Sequence, residues 1–347
     1  MKRFMLFTVC CVLLGTAIVN ANGASYRIRE LSVGPQGSAG PPCLGIANAI
    51  SPTHLVAGVV YDGGSSFGAV SDGTGGLRLL DAGFALGVNS SGHAVGYAGA
   101  AVMWDAAGLA TTLPLPADTS FSLARAINDA GQAVGECWIG THDVTNHIAL
   151  WYPGAEPIIL GEGCGNAINT GGQVAGFTRD TDGARRAFLW SPIGGLTTFV
   201  GGTASEATAI NDRGWAAGTV SDAVGTWACV WTAPGAPTVL QNLPGSVSSM
   251  AYGINNAGAV VGSCDTPSGS FAVLWQPNGS VIGLGELADH SGSVAYAISS
   301  SGWIAGCSLD ASGTPHPVVW ELVPEPASIV ALAVGLIGLA PLLRKRV

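Results

Sequence analysis

The sequence is poor in charge. Charged residues fill 10% of its 347 positions, against roughly a quarter in an average globular domain. Lysine occurs only as Lys2 and Lys345, so the body between residues 25 and 322 has none. That body holds eight arginines against twenty-one carboxylates, a net charge of −13. Such a balance excludes nucleic acid as a partner, because neutralising phosphates takes clustered cations. Cysteine is scarce too, and no Cys-x-x-Cys pair occurs, which removes the spacing a zinc site uses. The body cysteines Cys43, Cys137, Cys164, Cys229, Cys264 and Cys307 are even in number. In an exported chain they suit either disulfides or buried free thiols, and both readings stay open.

Catalytic signatures are also missing. There is no Ser-x-Asp-x-Gly-x-x-Trp box and no Gly-x-Ser-x-Gly in a strand–turn–helix setting. His142 and His147 flank Asp143 in a polar stretch that reads as a solvated loop rather than a metal site. Asp180 and Asp182 before Gly183 lack the distal Glu of a calcium loop, so turn chemistry accounts for them. No catalytic residue, metal or cofactor is expected.

What is abundant is glycine, 52 residues, beside 48% apolar positions. That combination suggests tight all-β structure and excludes disorder, which needs low hydrophobicity and high net charge. The glycines are periodic. The stretch Ala207 to Gly218, "ATAINDRGWAAG", recurs at Ala85, Ala124, Gly165, Ala251 and Ala295, with a worn copy from Ala47 to Gly58. Ala-x-Ala-Ile reads as an alternating strand. Asn-x-x-Gly fits a type I turn, with Gly at positive φ. The worn copy has Ser51 and Pro52, both compatible with that turn. The Ile or Val of the signature falls at 50, 88, 127, 168, 210, 254 and 298.

Each unit continues with a polar turn, a short apolar strand ending in Trp, a Pro/Gly turn and a fourth strand. The tryptophans are Trp104, Trp151, Trp190, Trp231, Trp275 and Trp320, with Ser71 in the first unit. They read as core between units. About 40 residues with four strands is the content of a propeller blade. The seventh unit has no fourth strand after Trp320, and a strand at Tyr26 to Val33 precedes the first signature. The expected fold is therefore all-β, a seven-bladed β-propeller over 25–322, closed by the N-terminal strand.

The ends differ from the body. Residues 1–24 read as a signal peptide: Lys2 and Arg3, an apolar run, and Ala21 or Ala24 for cleavage. At residues 323–347, Pro324-Glu325-Pro326 precedes an apolar run and Arg344-Lys345-Arg346. The run from 327 to 343 is long enough for a transmembrane helix.

This tail resembles the PEP-CTERM sorting signal, with its three parts in order. The resemblance implies an exosortase-type processing enzyme as partner, a membrane-anchored precursor, and an exopolysaccharide-producing host. The body resembles the HAF-repeat extracellular proteins. Arg186-Ala187-Phe188-Leu189-Trp190 is closest to the His-Ala-Phe tripeptide, and His147 and His316 keep the His. That family carries no activity to transfer.

The slot after the turn Gly varies within an otherwise regular repeat: Leu55, His93, Gln132, Gln173, Trp215, Ala259 and Trp303. Trp215 and Trp303 are the candidate glycan contacts, with gap filling between blades as the alternative. The expected function is an exported, non-enzymatic binding or scaffold protein at the cell surface or in the matrix, associated with exopolysaccharide. The alternatives are a propeller-type polysaccharide lyase or hydrolase, or a self-assembling surface protein.

Overall fold

The structure is a computed structural model that describes residues 18–21, 24–33, 44–62, 64–71, 76–140, 145–233 and 235–323. Its regular elements are all β-strands, arranged as a β-propeller. The first unit is the meander Leu44–Ile50, Val56–Asp62, Ser65–Ser71 and Gly76–Ala82. The same antiparallel up-and-down order follows every later signature copy. The strands form six hydrogen-bonded sheets, one of them seven-stranded. In that sheet one continuous strand, Ile158–Ile168, serves two units. Its first half pairs outward with Thr145–Trp151, and its second half pairs with Val174–Arg179.

The hairpin of the signature forms as its residues demand. In the third unit Asn128 N–H donates to the Gln132 carbonyl and Gly131 N–H to the Asn128 carbonyl, each at 3.0 Å. Gly131 has φ 77°, and the worn copy reaches the same conformation with His54 at φ 66°. The strand before the turn, however, is not regular. All seven copies carry a register shift, as at Ala124/Ala126 and Ala207/Ala209, so the x of Ala-x-Ala is an extra, bulged residue. The bulge explains the last Gly of the signature. A Cβ on Gly218 would lie 2.0 Å from the Glu206 carbonyl oxygen, and one on Gly135 1.9 Å from that of Leu123. The bulged side chain is turned to use: Asn48, Asn166 and Thr208 donate to the carbonyls of Ala85, Ala207 and Ala251 in the next unit. Small residues are also needed here, since a Cβ on Gly87 would sit 3.0 Å from Ala126 Cα.

The core is a series of clusters between neighbouring units. Trp104 packs with Ala57, Val70 and Leu80 of the unit before it. Trp104, Trp151, Trp231, Trp275 and Trp320 are fully buried, whereas Trp190 is half-buried. The tryptophans are thus inter-unit packing, as their size and periodicity suggested.

The N-terminal segment joins the two ends of the chain. Ala24–Glu30 pairs antiparallel with Pro315–Val323, from Ser25↔Val323 to Glu30↔Val318. Tyr26 and Ile28 enter the cluster around Trp320, while Arg27 and Arg29 both reach Glu321, at 2.5 and 2.6 Å. Ser32–Val33 then runs parallel to Gly76–Leu77 of the first unit. Leu31, between these strands, is buried among residues of the first and seventh units.

Of the expected leader at 1–24, the described part is extended, and Ile18–Ala21 pairs with Ala24–Arg27. Sequence reading gave this stretch no part in the fold, yet its β-branched residues suit an added edge strand. The sorting motif Pro324, Glu325, Pro326, the run at 327–343 and Arg344, Lys345, Arg346 lie outside the described residues. Among the described residues no helix is long and apolar enough to cross a membrane.

Candidate functional site

The ring has two ends. One carries the Asn turns and may be called the turn end; at the other, each unit crosses to the next. At the turn end a cavity of about 220 Å³ is lined by the Ile or Val of every signature copy and, in six of them, the Asn or Ser after it; the first copy adds Pro52. Contributions from every copy place it on the ring axis.

The asparagines there do two jobs. Oδ1 of Asn128 accepts from Ala130 and Gln132 N–H at 3.1 and 3.0 Å, closing its own turn. Its Nδ2 donates to the Asn169 carbonyl of the next unit at 3.0 Å. Asn89, Asn169, Asn211 and Asn255 make the same outward bond, at 3.2, 3.0, 2.9 and 3.4 Å. Ser51 and Ser299 close their turns through Oγ but have no amide to pass on. The mouth carboxylates are likewise engaged. Asp129 accepts from Ser90 N–H and Oγ at 2.8 and 2.9 Å. Asp212 accepts from Thr170 and Asn256. Burial pulls its pKa up, and those hydrogen bonds outweigh it and hold the carboxyl below the usual range.

The variable slot lies on the turn of the following unit. A Cβ on Gly92, Gly172, Gly214 or Gly258 would first meet Leu55, Gln132, Gln173 or Trp215 respectively, apart from an Ala106 methyl beside Gly92. Trp303 stacks on His54, with centroids 4.4 Å apart and planes 9° apart. Trp215 lies under the Arg213 guanidinium at 5.1 Å. Both tryptophans are half-buried, each has a face covered, and they belong to different units. Each thus touches a neighbouring unit, Trp303 at His54 and Trp215 at Gly258. Where the slot holds His93 or Ala259, clefts of about 520 and 410 Å³ open between the flanking units. The first has Met103, Trp151, Tyr152 and Pro153 in its walls.

The remaining candidates are dispersed. Cys137, Cys164, Cys229, Cys264 and Cys307 are free and buried, and Cys43 lies outside the described residues. Burial pushes the Cys137 and Cys164 thiols up to about 12, so they stay protonated. His147 lies on a strand beside Thr145, while His142 and Asp143 are outside the described residues. Asp180 Oδ1 caps its own turn through Asp182 and Ala184 N–H.

At the crossover end sits a cavity of about 430 Å³ that sequence reading missed. Arg125, Arg179 and Arg185 line it, with Glu136, Glu206, Trp138 and Phe177. Arg125 reaches Glu136 at 2.7 Å and Arg185 reaches Glu206 at 2.6 Å. Burial raises the Glu136 pKa, but hydrogen bonds from Arg125, Trp138 and Asn146 outweigh it and lower the net value.

No family model and no curated protein matches this chain. Solved structures do resemble it in fold. TolB from Acinetobacter baumannii aligns at 11% identity over 76% of this chain and 61% of its own, with a TM-score of 0.40. An acylaminoacyl peptidase from Pyrococcus horikoshii aligns at 11% identity over 84% of this chain and 54% of its own, with a TM-score of 0.48. A triple arginine-to-alanine mutant of AofleA from Arthrobotrys oligospora gives 10% identity, 87% and 90% coverage, and a TM-score of 0.43. The chain thus spans between half and two thirds of the first two proteins.

Proposed function

We propose that this chain is an exported, seven-bladed propeller closed by its N-terminal strand, acting as a non-enzymatic binding or scaffold protein associated with exopolysaccharide. The blade count takes the seven-stranded sheet as two blades sharing Ile158–Ile168. The observation that carries the reading is the fate of the polar groups on the ring axis. Five Asn side chains there join one unit to the next, and Asp129 and Asp212 accept bonds from neighbouring turns. A general base needs a lone pair aimed at substrate, and these carboxylates aim theirs at the scaffold.

The reading includes both sequence resemblances, the HAF-repeat body and the PEP-CTERM tail. An exosortase-type enzyme is then the processing partner, acting on a precursor anchored through the C-terminal helix. The test is incubation of the secreted protein with its host's exopolysaccharide. Retention of the protein with unchanged polymer length is expected. Shortened chains would establish the lyase or hydrolase alternative, and ordered assembly without polymer would establish a surface subunit. Intact-mass analysis of surface protein is expected to end near Pro324–Pro326; chains still bearing Arg344 to Val347 would overturn the sorting reading.

A further inference from the structure

A row of aromatic rings, half-buried in the middle and exposed at both ends, crosses the crossover end of the second and third units. Phe84 lies 6.4 Å from Tyr97, Tyr97 5.4 Å from Phe121, and Phe121 5.1 Å from Trp138, centroid to centroid. Phe84 is 36% exposed and Trp138 44%. The repeat pattern itself does not call for them. The Tyr97 position is Thr219 in the fifth unit and Ser263 in the sixth, and the Trp138 position is Ser221 and Asp265. The row leads into the arginine-lined cavity, of which Trp138 is a wall.

The charge in that cavity is unusual for this molecule. It gathers three of the eight arginines of a lysine-free body whose net charge is −13. Two of the three are matched by Glu136 and Glu206. Arg179 donates to the Gly183 carbonyl and has no carboxylate at ion-pair distance among the described residues. Nε of Arg125 is buried without a hydrogen-bond partner. Arg185 sits 4.4 Å from the Phe177 ring, so guanidinium and aromatic surfaces adjoin.

We propose that this surface binds a polysaccharide bearing carboxylates, such as a uronate polymer. The proposal rests on the reading of the chain as a glycan-associated binder and names the glycan class. Aromatic rings take the apolar C–H faces of sugars, and a guanidinium fork takes a carboxylate with two parallel hydrogen bonds. An extended peptide would instead pair along a sheet edge, and here strand ends are presented. The local excess of positive charge outweighs the acidic body at contact distance, because more distant exposed charges are screened.

The experiment is affinity electrophoresis of the folded chain in gels containing polygalacturonate, dextran or polyglutamate, with chelator present to remove calcium bridging. Retardation is expected in polygalacturonate only, weakening as salt rises. Arg179→Ala is expected to weaken it about tenfold, the worth of one charge-assisted hydrogen bond. Phe84→Ala combined with Trp138→Ala is expected to abolish it. All three residues are exposed, so unchanged melting curves verify the fold of the variants. Arg213→Ala, at the turn end, removes the same charge and is expected to change nothing. Retardation in dextran but not polygalacturonate would overturn the proposal and leave the broader reading standing. Equal retardation in polyglutamate, or equal loss with Arg213→Ala, would overturn it in favour of acidic peptides or of unspecific charge. Retardation in none of the gels would overturn this proposal, and the host's own polymer would then decide the broader reading.

Discussion

The junction between the third and fourth units and the seam between the seventh and first solve one problem in opposite ways. At the former, the chain runs through without a loop, as Ile158–Ile168. Asn128 adds its amide bond to Asn169. At the seam the chain crosses only through the N-terminal segment, from Ala24–Glu30 in the seventh unit's sheet to Ser32–Val33 beside the first, and Ser299, the signature residue that faces it, has no amide to donate. A separate set of contacts stands in: the strand Ala24–Glu30, the Arg27 and Arg29 pairs with Glu321, His316 on Glu30 at 2.8 Å, and the His54–Trp303 stack. Ordinary junctions are built from the repeat. The seam is built from its exceptions.

The contrast can be broken at several points, in descending order of effect. Deleting residues 25–33 strips the seam of its strand and exposes a sheet edge; calorimetry is expected to show loss of the single cooperative transition. An unchanged melting curve would refute closure through this strand. At an ordinary junction, Asn169→Ala leaves the Asn211 carbonyl and the Gln173 N–H without their partner. A loss of about 2–3 kcal/mol in denaturant unfolding is expected, whereas Ser299→Ala at the seam is expected to lose about 1 kcal/mol.

Glu321 gives a pH dependence. Burial raises its pKa, but Arg27 and Arg29 outweigh burial and hold it below the usual carboxylate range. A depressed folded pKa contributes stability that is present above the unfolded value, about 4.3, and is lost as pH falls through the folded one. Glu321→Gln is therefore expected to destabilise at neutral pH and to flatten the acid limb of the stability curve. An unchanged limb would remove the ion pairs from the account. The smallest effect is expected from Trp303→Ala, about 1 kcal/mol for a half-exposed stack. A far larger loss would mean that the tryptophan holds the seam by itself.

The turn, the buried tryptophans and the complementary end strands were legible in the sequence because each has a local signature. The bulge was not, since Ala-x-Ala-Ile looks like plain alternation. The signal was present in the recurring final Gly, which only a close carbonyl explains. Turn chemistry accounted for one face of each Asn and hid the other, because a bond to the next unit leaves no mark nearby in the chain. Ser299 did mark it, as the copy whose amide would have crossed the seam. For Trp215 and Trp303, variability within a repeat suggested either a sugar contact or a filler between blades, and the covered faces on His54 and Arg213 could not be read without the register. The arginine cavity joins residues from Arg125 to Glu206, too far apart to group without the register.

The uninterrupted strand Ile158–Ile168 has a bearing on recognition. Cys164, one of its residues, lines the arginine cavity, so one wall of that cavity is a strand tied to Thr145–Trp151 through its first half and to Val174–Arg179 through its second. Two plates riveted along a common edge do not slide. A polymer bound there, as proposed, would meet a receptor already set in its bound shape, and little of the receptor's freedom would be forfeited on docking. Discrimination between sugars would then be sharp in geometry even where each contact is weak.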